Sequence, residues 1–191
     1  GIQLLAQEHE HGGEEGSGNP HIWLDPIPMR DRVLPRVTDA LVALAPAAAD
    51  AIRTRAAAVA DSLTSLDDEI RAALSPLKYR SFVATHPSWS YFAARYGLEE
   101  VGVIHTPPGN DPSSRELAHL LEASRLHGIR CIFVEPQIGE MAARALATEL
   151  GVPSCLLDPL GGPGIQGRDG YLALLRFNTL QFVNQLGASR P

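Results

Sequence analysis

The sequence predicts an α/β protein whose carboxy-terminal part is a four-stranded parallel sheet with flanking helices. After Ser75-Pro76, short apolar runs alternate four times with longer helical segments, the pattern of strand-helix units in a parallel layer. Before them, one apolar stripe at helical spacing is sustained from Ala47 to Leu74. With 191 residues of which 45% are hydrophobic, the chain is long enough to enclose one substantial core.

Taken in order, Gly1 to Gly18 reads as a short strand at Ile2–Leu5 and then the run Glu8-His9-Glu10-His11-Gly12-Gly13-Glu14-Glu15, too polar and glycine-rich to pack. A start at Gly1 with no initiator Met, directly in a strand-like run, reads as a processed or truncated product. The stretch Asn19-Pro20-His21-Ile22-Trp23-Leu24-Asp25-Pro26 follows. Pro20 and Pro26 stiffen its two ends, and Asp25 before Pro26 is an N-cap followed by proline at the first helical position, so His21 sits in a rigid loop. Val33, Val37, Leu41 and Leu44 then recur at helical spacing. Pro35 interrupts that helix at a cost of about 3 kcal/mol, which predicts a kink or a late helix start. Ile52, Val59, Leu63, Leu66, Ile70 and Leu74 mark a second helix, roughly 40 Å long at 1.5 Å per residue. Strands are expected at 81–84, 101–104, 129–134 and 154–157, and helices at 87–96, 113–127, 140–150 and 171–186. Ser113-x-x-Glu116 is a capping box, and Gly97, Gly128 and Gly151 lie just beyond helix ends.

The formal net charge of −6 and a pI near 5.6 show no basic excess for phosphate backbones, which disfavours a nucleic-acid partner. No apolar run approaches the roughly 20 residues a membrane span needs. Cys131 and Cys155 are too few for a zinc ribbon, and neither belongs to a Cys-x-x-Cys pair. Both fall in predicted strands, and a bridge would require those strands to be neighbours, although parallel neighbours are a poor host for disulfide geometry.

The chemistry gathers at the strand ends. His86, His105, Glu135 and Asp158 each follow one of the four strands, so all four are expected on one sheet edge, where open parallel sheets bind their ligands. Three of them precede proline, in His86-Pro87, Glu135-Pro136 and Asp158-Pro159, which ends the strand and stiffens the loop. Imidazole nitrogen and carboxylate oxygen are donors that zinc accepts without any cysteine.

The octapeptide around His21 is joined by Val83-Ala84-Thr85-His86-Pro87-Ser88-Trp89-Ser90-Tyr91-Phe92-Ala93, by Arg95-Tyr96-Gly97-Leu98 and Phe133-Val134-Glu135-Pro136-Gln137, and by Leu157-Asp158-Pro159-Leu160-Gly161, Tyr171-Leu172 and Arg176-Phe177-Asn178. In this order the segments resemble the zinc- and manganese-capturing substrate-binding proteins of ABC importers, periplasmic or anchored at the bacterial surface. The resemblance implies a metal in the cleft between two lobes, bound by His21, His86 and Asp158, and delivered to an importer's membrane permease. Manganese-type members usually carry a glutamate where His86 stands, so the imidazole implies Zn(2+) rather than Mn(2+). It also implies that residues 1–46 are a remnant of the amino lobe, 47–75 the connecting helix and 76–191 the carboxy lobe. His9 and His11 look like a minimal His-rich loop holding zinc weakly, and Glu135 like a residue that orients a His. The family supplies a further His from earlier in the amino lobe, and nothing before His21 matches that motif. His21, joined to the carboxy lobe through the kinked segment and the long helix, is therefore expected to be loosely held. His105 reads as a loop residue, His119 and His127 as surface, and Trp23 and Trp89 as packing anchors beside the site. The function implied is capture rather than catalysis. The alternative is a zinc hydrolase using His21, His86 and Asp158 with water in the fourth position, for which Glu135 is the only general base on offer.

Overall fold

The computed structural model describes residues 18–104 and 112–187. His9, His11 and His105 lie outside those residues. A 3-10 turn at Ile22–Leu24 leads into α1 (Pro26–Pro28), where the Asp25 side chain accepts the Ile27 N–H at 2.9 Å, as the N-cap reading requires. α1 passes through a π-helical turn at Met29–Val33 into α2 (Leu34–Leu44), so the longer regular α-helix starts late, with Pro35 in its first turn, as one of the two expectations has it. The Leu34 N–H reaches back five residues to the Met29 carbonyl, and this wider turn leaves Pro35 at the start of α2, where no N–H is needed.

A 3-10 turn at Pro46–Ala48 opens α3 (Ala49–Leu74), whose 26 residues span about 39 Å. Only the second half of its apolar stripe is buried, with Leu63, Leu66, Ile70 and Leu74 at 5% exposure or less. Val59 on α3 is exposed, as are Val37, Leu41 and Leu44 on α2. The stripe that marks the helix is thus buried only along its later turns, where the core packs against it.

Eight further elements alternate: β1 (Ser81–Ala84), α4 (Ser90–Tyr96), β2 (Glu99–Val103), α5 (Ser114–Leu126), β3 (Ile132–Val134), α6 (Met141–Leu150), β4 (Ser154–Leu156) and α7 (Tyr171–Leu186). The strands form one parallel sheet in the order β2-β1-β3-β4, so their carboxyl ends share an edge. Phe82, Ala84 and Phe133 face a core made with Leu66 and Ile70 of α3, Trp89 just before α4, Phe92 of α4 and Phe182 of α7. Val83, Ile132 and Val134 face a second core with Ile104, Ala143 and Leu146. Both faces of the central strands are thus covered, which explains their unbroken apolar runs.

Boundaries moved where local hydrogen bonds compete with the ladder. β2 starts at Glu99 rather than Val101 because the Glu99 N–H pairs with the Arg80 carbonyl at 2.9 Å. β3 starts at Ile132 because Ile129 bonds back to Ser124 to close α5, after Gly128 has taken φ 61°. α4 begins three residues later than expected, since Ser88 N–H bonds to the His86 carbonyl in a tight turn. The Ser113–Glu116 capping box forms as the sequence indicates. No helix among the described residues is long and apolar enough to cross a membrane.

Cys131 and Cys155 are bridged, with Cα atoms 6.3 Å apart. The register pairs Phe133 with Cys155, so the bond runs diagonally from the residue just before β3 rather than straight across the ladder. The bridge closes a loop with a sequence separation of 24. Replacing both cysteines by serine is expected to cost about 3 kcal/mol and lower Tm by about 10 °C. Thermal denaturation of the double variant checks this, and an unchanged Tm would contradict it.

Candidate metal centre

The His21 loop is docked directly on the sheet edge, not tethered through the long helix alone. Asn19, only 1% exposed, makes this docking. Its Oδ1 accepts the His21 backbone N–H at 2.9 Å and lies 2.7 Å from His21 Nδ1, while its Nδ2 donates to the Pro87 carbonyl at 2.8 Å and to Ser90 Oγ at 3.2 Å. A carbonyl oxygen that takes a backbone N–H can only accept, so the His21 proton belongs on Nδ1 and the Nε2 lone pair is left for a metal. The loop is fixed at three further points. Tyr91 Oη donates to the Asn19 carbonyl at 2.9 Å, Trp23 Nε1 donates to the Pro159 carbonyl at 2.9 Å, and Tyr171 Oη donates to the Trp23 carbonyl at 2.7 Å. The Asp25 carboxylate pairs with Arg95 of α4. The expectation that His21 is loosely held is therefore corrected: these contacts come from residues far along the chain, which the local sequence does not reveal.

His86 follows β1 and its ring meets that of His21 edge-on, with centroids 5.0 Å apart and planes at 82°. His21 also lies 5.1 Å from the Trp23 ring, so one side of the imidazole pair is walled by an aromatic. Burial, helped by the charge of His86, lowers the His21 pKa to about 4. The ring is therefore neutral and able to bind metal at physiological pH without first losing a proton.

Asp158 follows β4 on the same edge and is 1% exposed. Its backbone is gripped by Asn178 of α7, which accepts the Asp158 N–H at 2.8 Å and donates to its carbonyl at 2.7 Å. Its carboxylate accepts from Gln137 Nε2, from the Leu160 and Gly161 N–H groups and from Arg168. Burial alone would raise its pKa, but the Gly161, Gln137 and Leu160 donors and the Arg168 charge together hold it below the ordinary value. Among the described residues no three His, Cys, Asp or Glu side chains stand together as a metal-holding group. The structure brings His21 and His86 into contact, and engages the Asp158 carboxylate with other donors.

Two more carboxyls are buried nearby, Glu135 at the edge and Glu100 further back on β2. Glu135 is 3% exposed and accepts from Trp89 Nε1 at 3.0 Å, so Trp89 is a hydrogen-bonding partner as well as a packing anchor. Its pKa is pushed to about 7 by burial, with the Asp158 charge adding to the rise. Glu100 of β2 accepts from Ser90 Oγ at 3.0 Å, which extends the chain of contacts from His21 through Asn19 and Ser90. Burial likewise raises it to about 7, with the Glu135 charge adding.

Residues 1–185 match the family described as the periplasmic component A of the zinc-uptake complex. The chain belongs to this family. It is 34% identical over 180 residues to the zinc-binding protein AdcA of Streptococcus pyogenes serotype M6, covering 90% of this chain and 35% of that protein. It is 29% identical over 173 residues to the high-affinity zinc uptake system protein ZnuA of Brucella abortus, covering 90% of this chain and 51% of that one. The chain thus spans a third to a half of the length of these relatives. Among solved structures, a zinc-bound ZnuA deletion mutant superposes with a TM-score of 0.83 at 28% identity, over 100% of this chain and 68% of that one.

Of the three residues singled out in the sequence, the structure brings His21 and His86 into contact and sets Asp158 on the same sheet edge with its carboxylate engaged by other donors. Sequence reasoning missed what Asn19, Gln137, Arg168 and Asn178 do. Asn19, Gln137 and Asn178 stand inside the recognised motifs, so their positions were visible while their partners were not. The buried carboxyls generate a pH dependence. Glu135 ordinarily titrates near 4.5 and is raised to about 7 on folding, so its contribution is fully present below pH 4.5 and is lost as pH rises through 7. Glu135→Gln keeps an acceptor for Trp89 and removes that dependence. Between pH 5 and 8 the wild type is expected to lose about 3 kcal/mol relative to the variant in denaturant titrations. A wild-type-to-variant difference that stays constant with pH would contradict the assignment.

Proposed function

We propose that this chain contributes three ligands, one from the end of the amino lobe and two from the carboxy lobe, to a zinc-capture site in the substrate-binding protein of an ABC importer, working in the periplasm or at the cell surface. The metal is cargo, handed on to the importer's membrane permease, and the chain performs no catalysis. The observation that carries the reading is the His21–His86 pair at 5.0 Å on the carboxyl edge of a parallel sheet, with His21 neutral and its Nδ1 already committed to Asn19. His21, His86 and Asp158 are the proposed ligands. Residues 1–46 are assigned to the amino lobe, 47–75 to the connecting helix and 76–191 to the carboxy lobe, with the metal between the lobes. The family match and the zinc-binding relatives support zinc as the cargo. Two imidazoles against one carboxylate favour zinc over manganese on ligand chemistry as well. The hydrolase alternative gains no support from Glu135, whose carboxyl is 3% exposed and tied to Trp89.

Calorimetric titration at neutral pH tests the ligand set. Because His21 is docked on the sheet edge by Asn19, His21→Ala and His86→Ala are each expected to weaken zinc binding at least about 100-fold. Asn19→Leu, which removes the partner of His21 Nδ1 but no ligand, is expected to weaken it about 10- to 100-fold. Wild-type affinity in both His variants would show that the metal sits elsewhere. Competition between zinc and manganese tests the cargo, and preference for manganese would overturn it.

A further inference from the structure

The two oxygens of Asp158 are not equivalent. Oδ1 accepts from Gln137 Nε2 at 3.0 Å, Leu160 N at 3.1 Å and Gly161 N at 2.9 Å, whereas Oδ2 accepts from Arg168 Nη1 at 2.7 Å. Three donors exhaust the lone pairs of Oδ1. A metal that uses this carboxylate therefore has to use Oδ2, the atom the guanidinium holds. We propose that Arg168 is a resident counter-cation that a divalent metal must displace from Asp158, so that Arg168 sets how tightly and for how long the metal is kept. This inference rests on the reading of Asp158 as a zinc ligand.

Arg168 is held in place by some contacts and left short of others. Its guanidinium lies 4.8 Å from the Phe177 ring centroid and its side chain is 18% exposed. Its Nε is buried with no hydrogen-bond partner among the described residues. A buried N–H left unpaired disfavours this pose, so the contact with Oδ2 is one the side chain can give up. The backbone beneath it is fixed: Gly162 N–H donates to the Arg168 carbonyl at 3.0 Å, and Arg168 N–H donates to the Ile165 carbonyl at 2.9 Å. Gly161, at φ 60°, comes so close that a Cβ there would lie 2.3 Å from the Arg168 carbonyl oxygen, which excludes any other residue from that turn. The loop thus anchors the backbone of Arg168 and leaves its long side chain as the part that moves.

Electrostatics sets the direction of the exchange. A guanidinium cannot lose its proton in a protein, so it cannot become neutral when a second cation arrives. Without metal it balances the Asp158 charge and keeps the buried carboxylate aimed. With metal bound to Oδ2, a dication and a guanidinium would share one oxygen, and the guanidinium must turn away. Metal capture then carries the work of breaking an ion pair, and metal release is assisted by its re-forming.

The test is zinc affinity and zinc release, measured with a competing chelator in stopped flow, for wild type, Arg168→Met, Arg168→Lys and Asp158→Asn. Arg168→Met keeps an aliphatic stem for Phe177 and removes the charge. It is expected to bind zinc at least about tenfold more tightly, equivalent to 1.4 kcal/mol, chiefly through slower release. Arg168→Lys retains a cation and should stay near wild type. Unchanged or weaker binding by a folded Arg168→Met protein would overturn the proposal. If that variant fails to fold, the wild-type Arg168 Nε and Nη resonances decide: they should shift on saturation with zinc, and their constancy would overturn it. Asp158→Asn separates the two readings. If it leaves zinc binding unchanged, the ligand assignment and the proposal both fall; if it weakens binding while Arg168→Met fails to tighten it, only the proposal falls.

Discussion

The Asn19 carboxamide is buried between the loop that carries His21 and the loop that carries His86, and every hydrogen-bonding position of its side chain is used there. Its oxygen fixes the His21 backbone and tautomer; its nitrogen reaches the Pro87 carbonyl and Ser90 of α4. One amide thus joins two imidazoles that are 65 positions apart in the chain, between His21 and His86, and sets their relation before any ion arrives. Preorganisation of this kind matters because a metal that had to order its own ligands would lose roughly 1–2 kcal/mol of binding for each residue fixed. The Trp23 indole and the Tyr171 hydroxyl extend the same docking to the Asp158 loop and α7.

The parallel sheet supplies what the amide cannot. Its four strands end along one edge, so residues from β1, β3 and β4 meet there although they are remote in sequence. Both faces are covered by helices, and His21, Glu135 and Asp158 are buried at the edge. Burial keeps His21 neutral and pushes Glu135, and Glu100 further back on β2, toward their protonated forms. Asp158 stays charged in the same surroundings because four donors surround its carboxylate. The site therefore combines neutral imidazole, one stabilised carboxylate and two carboxyls poised near neutrality, an arrangement set by burial as much as by residue type.

Much of this was legible in the sequence. The residue after each strand and the proline behind it located His86, Glu135 and Asp158, because strand ends and proline act locally. The octapeptide located His21 for the same reason. Partnerships were not legible where they depend on distant residues. Nothing near Asn19 indicates Pro87, and nothing in the glycine-rich segment around Arg168 indicates Asp158. The α3 stripe located the helix, but periodicity shows which face is apolar and not how far the covering layer extends. The cysteines were left open because a diagonal bridge depends on a register that periodicity does not specify. At Pro35 the spacing of apolar residues does not show that a π turn ahead of α2 accommodates the missing N–H.

The measurement that bears most directly on the central claim is a zinc-edge anomalous diffraction map of zinc-loaded crystals. The account predicts one strong peak at about 2.0–2.2 Å from His21 Nε2, from an imidazole nitrogen of His86 and from an Asp158 carboxylate oxygen. A peak away from all three, with the His21–Asn19 and His86 loops unchanged and unliganded, would contradict it.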